Sequence, residues 1–249
     1  MKKFFVLAAT ALFIMTSCSS DDAQPTNPDT NTALLKKTVE TYEDGSTHIS
    51  NYNYNGNKLT SIIESDGSKI LFTYDGELMT EIKYYDNETL FQTNVLAYDT
   101  NNKLITHTMY SHLANASQRW EYTYNTDGTI TADNFSGDLN SQTNQLNPYI
   151  VTLLNNNITE VNMDGVIETY TYTNTIDPHS LVTGNNGWSL AFFEGGTNNI
   201  STYLYTNSAG DVLENHTYTY TYNNANLPIT SVETDVVTGE IITTQYFYE

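Results

Sequence analysis

Tyr52-Asn53-Tyr54-Asn55-Gly56-Asn57-Lys58-Leu59-Thr60-Ser61-Ile62 is the stretch that decides the fold, and it returns as Phe72-Thr73-Tyr74-Asp75-Gly76-Glu77-Leu78-Met79-Thr80-Glu81-Ile82. Each copy reads aromatic-x-Tyr, a turn, an apolar residue, Thr and a second apolar residue. Asn-Gly and Asp-Gly supply the positive φ that tight hairpin turns require. The flanking segments alternate in hydrophobicity with period two, as half-buried strands do. Around Ile70, residues Ile70, Phe72 and Tyr74 face one way and Lys69, Leu71 and Thr73 the other. Around Tyr122, Trp120 and Tyr124 share its face, while Arg119, Glu121 and Thr123 take the opposite one.

Working outward, Tyr98-Asp99 leads to Leu104-Ile105-Thr106, and Tyr122-Thr123-Tyr124-Asn125 leads through Asp127-Gly128 to Ile130-Thr131. Weaker copies begin at Leu154, Tyr172 and Phe193, and a final one runs from Tyr220-Thr221-Tyr222-Asn223 into Leu227-Pro228-Ile229-Thr230. A spacing of about 20 to 30 residues marks a supersecondary unit that buries its apolar face only beside its neighbours. About eight hairpins give an all-β antiparallel meander of about sixteen strands. Open edges on such a sheet invite aggregation, so a closed or flattened barrel is expected, with an elongated single-layer sheet as the alternative. A round barrel of about sixteen strands is too wide for its side chains to fill, which predicts flattening, loops tucked inside or a water-filled cavity. No helical period is evident after residue 17. A membrane pore is disfavoured, because most strands fall short of about 9–11 residues and the sequence ends on Glu249 after Tyr246-Phe247-Tyr248.

The Tyr-x-Tyr-Asp/Asn-Gly…Leu-Thr-x-Ile units resemble the YD repeats of Rhs-type proteins. They are still more similar to a family of Bacteroidetes lipoproteins of unknown function described as porin-like barrels. The resemblance spans about residues 35–249 and concerns architecture. The arginine common after the glycine of YD repeats is absent, and no autoproteolytic core or toxin module follows, so encapsulation of a toxin is not implied. The porin-like family brings no catalytic residues.

The N-terminus reads as an export signal. Lys2 and Lys3 precede the apolar run Phe4–Met15, too short to span a bilayer, and Thr16-Ser17 precede Cys18, the single cysteine. This arrangement resembles a lipobox, with Met15 where Leu is usual, and implies cleavage after residue 17 and lipidation of Cys18. Ser19, Ser20, Asp21 and Asp22 resemble the acidic signal that directs Bacteroidetes lipoproteins to the outer face of the outer membrane. The expected organisation is a signal peptide at 1–17, a lipidated flexible linker at 18–33 and one hairpin-repeat domain at 34–249. The expected location is the outer membrane, lipid-anchored and facing outward.

The formal charge is −20, and all nine Lys and Arg lie at or before Arg119. Phosphate binding needs a basic footprint, so nucleic acid is excluded as a partner, and adsorption to anionic headgroups is disfavoured. The membrane contact expected is the lipid on Cys18, with a glycan or an envelope protein as ligand.

Catalytic motifs are scarce. There is no nucleophile elbow, phosphate loop or paired-cysteine metal site. His48, His107, His112, His179 and His216 are scattered, and Asp44, Asp66, Asp75, Asp127 and Asp164 sit in Asp-Gly turns that backbone geometry explains. No cofactor is expected. Calcium remains open because acids and Asn carbonyls are its preferred ligands, although Asp127 to Asp133 lacks a calcium-loop spacing. Two polar excursions interrupt the repeat, Asn134 to Tyr149 and Asn174 to Trp188, and such insertions are where binding residues concentrate. Trp188, His179 and Tyr149 are the candidate ligand contacts. Trp188 either stacks on a sugar from a loop or starts the next strand and plugs the core. The functional expectation is a non-catalytic surface module, binding or structural. The alternative is a hydrolase of extracellular polysaccharide using paired carboxylates.

Overall fold

The computed structural model describes residues 33–249, so Cys18, the acids behind it and the export segment lie outside the described residues. The strands are β1 (Leu35–Thr41), β2 (Thr47–Asn55), β3 (Lys58–Glu64), β4 (Lys69–Asp75), β5 (Leu78–Asp86), β6 (Thr89–Tyr98), β7 (Leu104–Ser111), β8 (Ala116–Tyr124) and β9 (Ile130–Gly137). After them come β10 (Gln142–Gln145), β11 (Tyr149–Leu154), β12 (Asn157–Met163), β13 (Val166–Ile176), β14 (Asn198–Thr206), β15 (Val212–Tyr222), β16 (Pro228–Asp235) and β17 (Ile241–Tyr248). Between β13 and β14 stand a 3-10 turn (Pro178–Leu181) and a helix, α1 (Asn185–Phe192).

Neighbours in sequence pair antiparallel, and β1 lies between β2 and β17, with Val39 opposite both Ile49 and Gln245. On the other side β9 pairs directly with β11 through Ala132–Tyr149 and Ile130–Val151, while β10 folds onto its far end. The sheet therefore closes as a barrel of sixteen strands with β10 as an extra piece. Closure removes the free edges that a meander this long would expose, and the elongated sheet is not what forms.

Strict two-residue alternation fails at most of the strand starts that come after an aromatic-x-Tyr turn, for a physical reason. Opposite Asn53 lies Ser61, yet opposite Tyr54 lies Leu59, which leaves Thr60 as the extra residue of a bulge. The same step leaves out Thr80, Ile105, Thr159 and Ile229. A bulge shifts the later residues of its strand onto the other face. Residues three apart therefore both point inward, and Leu59 with Ile62, Met79 with Ile82 and Ile158 with Val161 are all buried. The bulge threonine also closes a hydrogen bond across the turn. Thr60, Thr80 and Thr159 donate from Oγ1 to the carbonyls of Asn53, Thr73 and Thr152 at 3.0, 3.3 and 3.3 Å.

The repeat tyrosine forms the next link. Tyr54, Tyr98, Tyr124, Tyr220 and Tyr248 donate to the carbonyls of Leu35, Met79, Leu104, Ile200 and Pro228 at 2.9, 2.7, 3.1, 2.8 and 2.7 Å. Tyr172 does the same to Ile158. Each ring buries apolar area while its hydroxyl satisfies a backbone acceptor at the start of the preceding strand. These tyrosines line one rim, here the near rim, which also carries both ends of the described chain: the Glu249 N–H donates to the Leu34 carbonyl at 3.2 Å.

The expectation of no helix after residue 17 is corrected by the segment between β13 and β14, which enters the lumen from the near rim as a plug. Its eight helical residues carry Gly184 and Phe193 in the left-handed region at the two ends, too short a span to show a period. Its contacts run around the wall: Phe72 with Trp188, His107 with Phe192, and Trp120, Tyr122 and Tyr149 with Phe193. A Cβ on Gly187 would land on the Tyr98 ring, so only glycine allows the helix to pass so close. A wide barrel is thus filled by a tucked-in segment rather than by wall side chains alone.

The outward face is mixed: exposed Ile63, Val95 and Ile150 stand among polar and charged cross-strand neighbours such as Asn53–Ser61, Thr73–Glu81, Glu121–Asp133, Thr171–Thr202 and Thr221–Thr230. A lipid-facing barrel carries an apolar band instead, and charges on that face are costly. Among the described residues no helix is long and apolar enough to cross a membrane.

Candidate functional site

The plug divides the lumen unequally. Toward β4–β12 it packs against an apolar wall that includes Phe72, Met79, Ile82, Leu96 and Val151. Toward β13–β16 it stands off, and a cavity of about 430 Å³ remains, lined by Glu168, Tyr170, Tyr203, Glu214, His216, Tyr218 and Glu233 from the wall and by Phe192 and Glu194 from the plug. The wall residues point inward by strand parity. In Glu168-Thr169-Tyr170 and Glu214-Asn215-His216-Thr217-Tyr218 the acids and the histidine are in phase with the inward aromatics.

The groups are coupled. Tyr170 donates to Glu168 at 2.7 Å and Tyr218 to Glu233 at 3.2 Å. His216 Nδ1 lies 2.8 Å from Glu233 Oε1, with the N–H direction off the oxygen, so the contact is coulombic when the ring is protonated. Its Nε2 is 3.9 Å from Glu214. The Tyr203 ring lies 5.1 Å from Tyr170 and 5.7 Å from His216.

Burial raises the Glu168 pKa, the Tyr170 hydrogen bond partly offsets this, and the Glu214 charge adds to it. Burial also raises Glu194, and so do the charges of Glu168 and Asp177. Although Glu194 sits inside the wall, its side chain is open to the cavity. Burial and the neighbouring glutamates hold the Tyr170, Tyr203 and Tyr218 hydroxyls in the protonated form. The result is a water-accessible chamber of hydroxyl donors and carboxylate acceptors, with no Lys or Arg in its wall.

Of the residues singled out from sequence, Trp188 lies on α1, half-buried, 5.5 Å from Phe72 and 6.3 Å from His179. It plugs the lumen from a helix rather than from a strand start. Trp188 and His179 do come together, beside Asp177 and Glu194, around a pocket of about 220 Å³. The Asp177 carboxylate accepts from the His179 backbone N–H at 2.8 Å and lies 3.0 Å from its Nδ1. Burial works against a charged His179 ring, but Asp177 and Glu194 outweigh it and its pKa rises. Tyr149 stands on the other side of the plug, its ring tilted against Phe193 at 5.0 Å and Trp120 at 6.4 Å. It borders a pocket of about 250 Å³ that also reaches Glu168. Another space, about 340 Å³ at the near rim, is bounded by turn residues such as Asn102, Asn156 and Asn186 with Tyr98, Lys103 and Tyr124, and no carboxylate lines it. Among the described residues no three His, Cys, Asp or Glu converge on a metal position, and Asp127 serves its own turn, accepting from the Thr129 N–H at 3.0 Å.

No family model matches the chain, and no characterised relative matches it by sequence. Among solved structures it is similar to a porin-like protein from Bacteroides uniformis, with 14% identity, a TM-score of 0.53 and coverage of 86% of this chain and 98% of that one. It is also similar to a porin-like protein from Bacteroides vulgatus, with 12% identity, a TM-score of 0.41 and coverage of 87% and 99%. At 14% identity the first likeness is one of fold.

Proposed function

We propose that the chain is a non-catalytic binding module, anchored by a lipid on Cys18 at the outer face of a bacterial outer membrane, whose ligand site is the acidic half of the lumen. The observation that carries this reading is the cavity of about 430 Å³ between plug and wall, larger than the other spaces described around the plug and lined by three wall glutamates. A purely structural part has no need of Glu and His gathered around a wet chamber, since drawing charged groups into the interior costs free energy unless they are paired. Charged and hydroxyl-bearing pairs such as Glu121–Asp133 and Thr221–Thr230 on the outer face suit a barrel held beside the membrane by a tether rather than one spanning it. Tyr hydroxyls and carboxylates together suit a hydroxyl- or amine-bearing ligand, such as a glycan or a protein side chain. A hard cation such as calcium is the alternative ligand for the same carboxylates.

Thermal-shift screening of the solubilised protein against glycan, amine and metal libraries tests the site. A ligand at 100 times its Kd stabilises by about 2.7 kcal/mol, and Glu168→Gln and Glu233→Gln should abolish that shift. A shift that survives both substitutions would refute the cavity as the site. The anchor is tested separately: Cys18→Ser should leave the membrane fraction, and retention there would contradict lipidation.

A second reading is favoured by one observation, the raised Glu168 facing Glu214 and Glu233 across the same cavity. A protonated carboxyl beside an ionised one is the arrangement glycosidases use. Turnover of chromogenic glycosides that disappears in Glu168→Gln would establish it, and no turnover across a broad panel would remove it.

A further inference from the structure

Two neighbouring hairpin tips on the far rim expose aliphatic side chains for which the fold has no use. The β14–β15 tip carries Val212 and Leu213 and the β16–β17 tip carries Val236 and Val237, each about half exposed. The tips are tied together, since the Val236 N–H donates to the Asn215 carbonyl at 2.7 Å. Ile241, at the start of β17, extends the exposed apolar surface. Among the other tips on this rim, Leu113 between β7 and β8 is exposed singly, while Glu43-Asp44-Gly45-Ser46 and Ser65-Asp66-Gly67-Ser68 carry the usual solvated turn chemistry. An apolar patch in place of such residues marks an interaction surface.

Its surroundings carry one sign of charge. Asp211, Glu214, Asp235 and Glu240 flank the aliphatic residues, and no Lys or Arg occurs after Arg119. Just inside the rim, Glu214, His216 and Glu233 begin the wall of the acidic cavity.

The geometry points to this rim as a docking surface for a cationic amphipathic peptide segment. Its aliphatic side chains seat on the Val/Leu lip, and a Lys or Arg side chain reaches the carboxylates at the cavity mouth. The inference rests on the lumen being the binding site and adds the class of partner. Charge complementarity selects that class: an acidic segment meets like charge at every flank, which costs affinity and slows encounter. The long stem of Lys or Arg can lie along an apolar lip while its charged head enters the polar mouth.

The test is fluorescence anisotropy of the detergent-solubilised full chain with a short alternating Lys/Leu peptide, with oligolysine and a Glu/Leu peptide as controls. The Lys/Leu peptide should bind, more weakly as salt rises, and the Glu/Leu peptide should not. Val236→Ser/Val237→Ser and Glu214→Gln/Glu233→Gln should each weaken binding tenfold or more, with unchanged circular dichroism. Leu213→Ser, on the neighbouring tip, serves as an independent variant of the lip. Oligolysine binding as tightly as the Lys/Leu peptide, or full affinity in the lip variants, would overturn the inference, because the net charge alone would then account for binding. If the peptide fails while a small ligand still depends on Glu168, the inference falls and the cavity reading stands. Binding lost in the lip variants but kept in Glu214→Gln/Glu233→Gln would overturn the cavity's part in docking and the inference with it, while the cavity reading falls only if small ligands also ignore Glu168 and Glu233.

Discussion

Replacing Tyr98 by Phe removes one oxygen and leaves the ring in place, which isolates what the repeat tyrosine contributes. Its hydroxyl donates to the Met79 carbonyl at 2.7 Å, and Met79 is fully buried. Water cannot easily replace the lost donor there. A net hydrogen bond is worth about 1 kcal/mol, and an acceptor left unpaired in the interior raises the cost to about 1–2 kcal/mol. For a chain of this size each kcal/mol moves Tm by about 2–4 °C, so Tyr98→Phe should melt roughly 2–8 °C lower. Urea unfolding followed by the fluorescence of Trp120 and Trp188 gives the free energy directly. Tyr85→Phe is the control: Tyr85 faces outward under the Lys69 ammonium, 4.8 Å from its ring centroid, and the change should stay within about 0.5 kcal/mol. Tyr220→Phe breaks the equivalent bond to Ile200 elsewhere in the wall, and the two losses should add to within about 0.5 kcal/mol. If Tyr98→Phe and Tyr124→Phe each cost no more than their outward control, the tyrosine ladder is ornament and the account of the repeat is wrong.

Acid should weaken the fold through His107, whose pKa burial drives from 6.5 to about 4. The unfolded chain takes up that proton near 6.5, so stability present above this value is lost as pH falls toward 4, by at most about 3 kcal/mol. His107→Gln should flatten that slope in urea midpoints taken across the window. Glu168 has the opposite sign, because its folded pKa is raised by burial. Its contribution is present below the unfolded value near 4.5 and shrinks as pH rises through the raised one, so Glu168→Gln should gain stability relative to wild type on going from pH 4 to 7. Gly187→Ala should destabilise by about 1–3 kcal/mol through overpacking on Tyr98, although alanine favours helix, and a stabilised variant would show that the plug is not seated there. Phe193→Ala, which removes the ring shared by Trp120, Tyr122 and Tyr149, should cost about 3–5 kcal/mol by thermal melting.

The strand-turn-strand pattern was legible because Asn55-Gly56 and Asp75-Gly76 determine local geometry and their flanks show which face is apolar. The bulge was hidden in plain view: Leu59-Thr60-Ser61-Ile62 spaces its buried residues by three, a departure that a search for period two treats as noise. Closure followed from the edge argument, but the pairing of β9 with β11 across a polar excursion depends on partners far apart in sequence. The plug was illegible as a helix because Asn185–Phe192 is too short to show a period, and its Asn and Gly residues read as a turn. The site was missed for a related reason. Glu168, Glu214 and Glu233 look like solvated acids one at a time, and only parity with Tyr170, Tyr218 and Ser231 turns them inward. Trp188 and His179 were brought together as neighbours, while Tyr149 stands across the plug from them.

Side-chain carboxyl chemical shifts, followed by NMR while a screening hit is titrated in, test the central claim most directly. The lumen reading predicts that Glu168, Glu214 and Glu233 move together and saturate, while Glu77, largely exposed on its near-rim turn, stays still. Hits that shift only exposed carboxylates such as Glu77, leaving the three cavity glutamates unmoved, would contradict it.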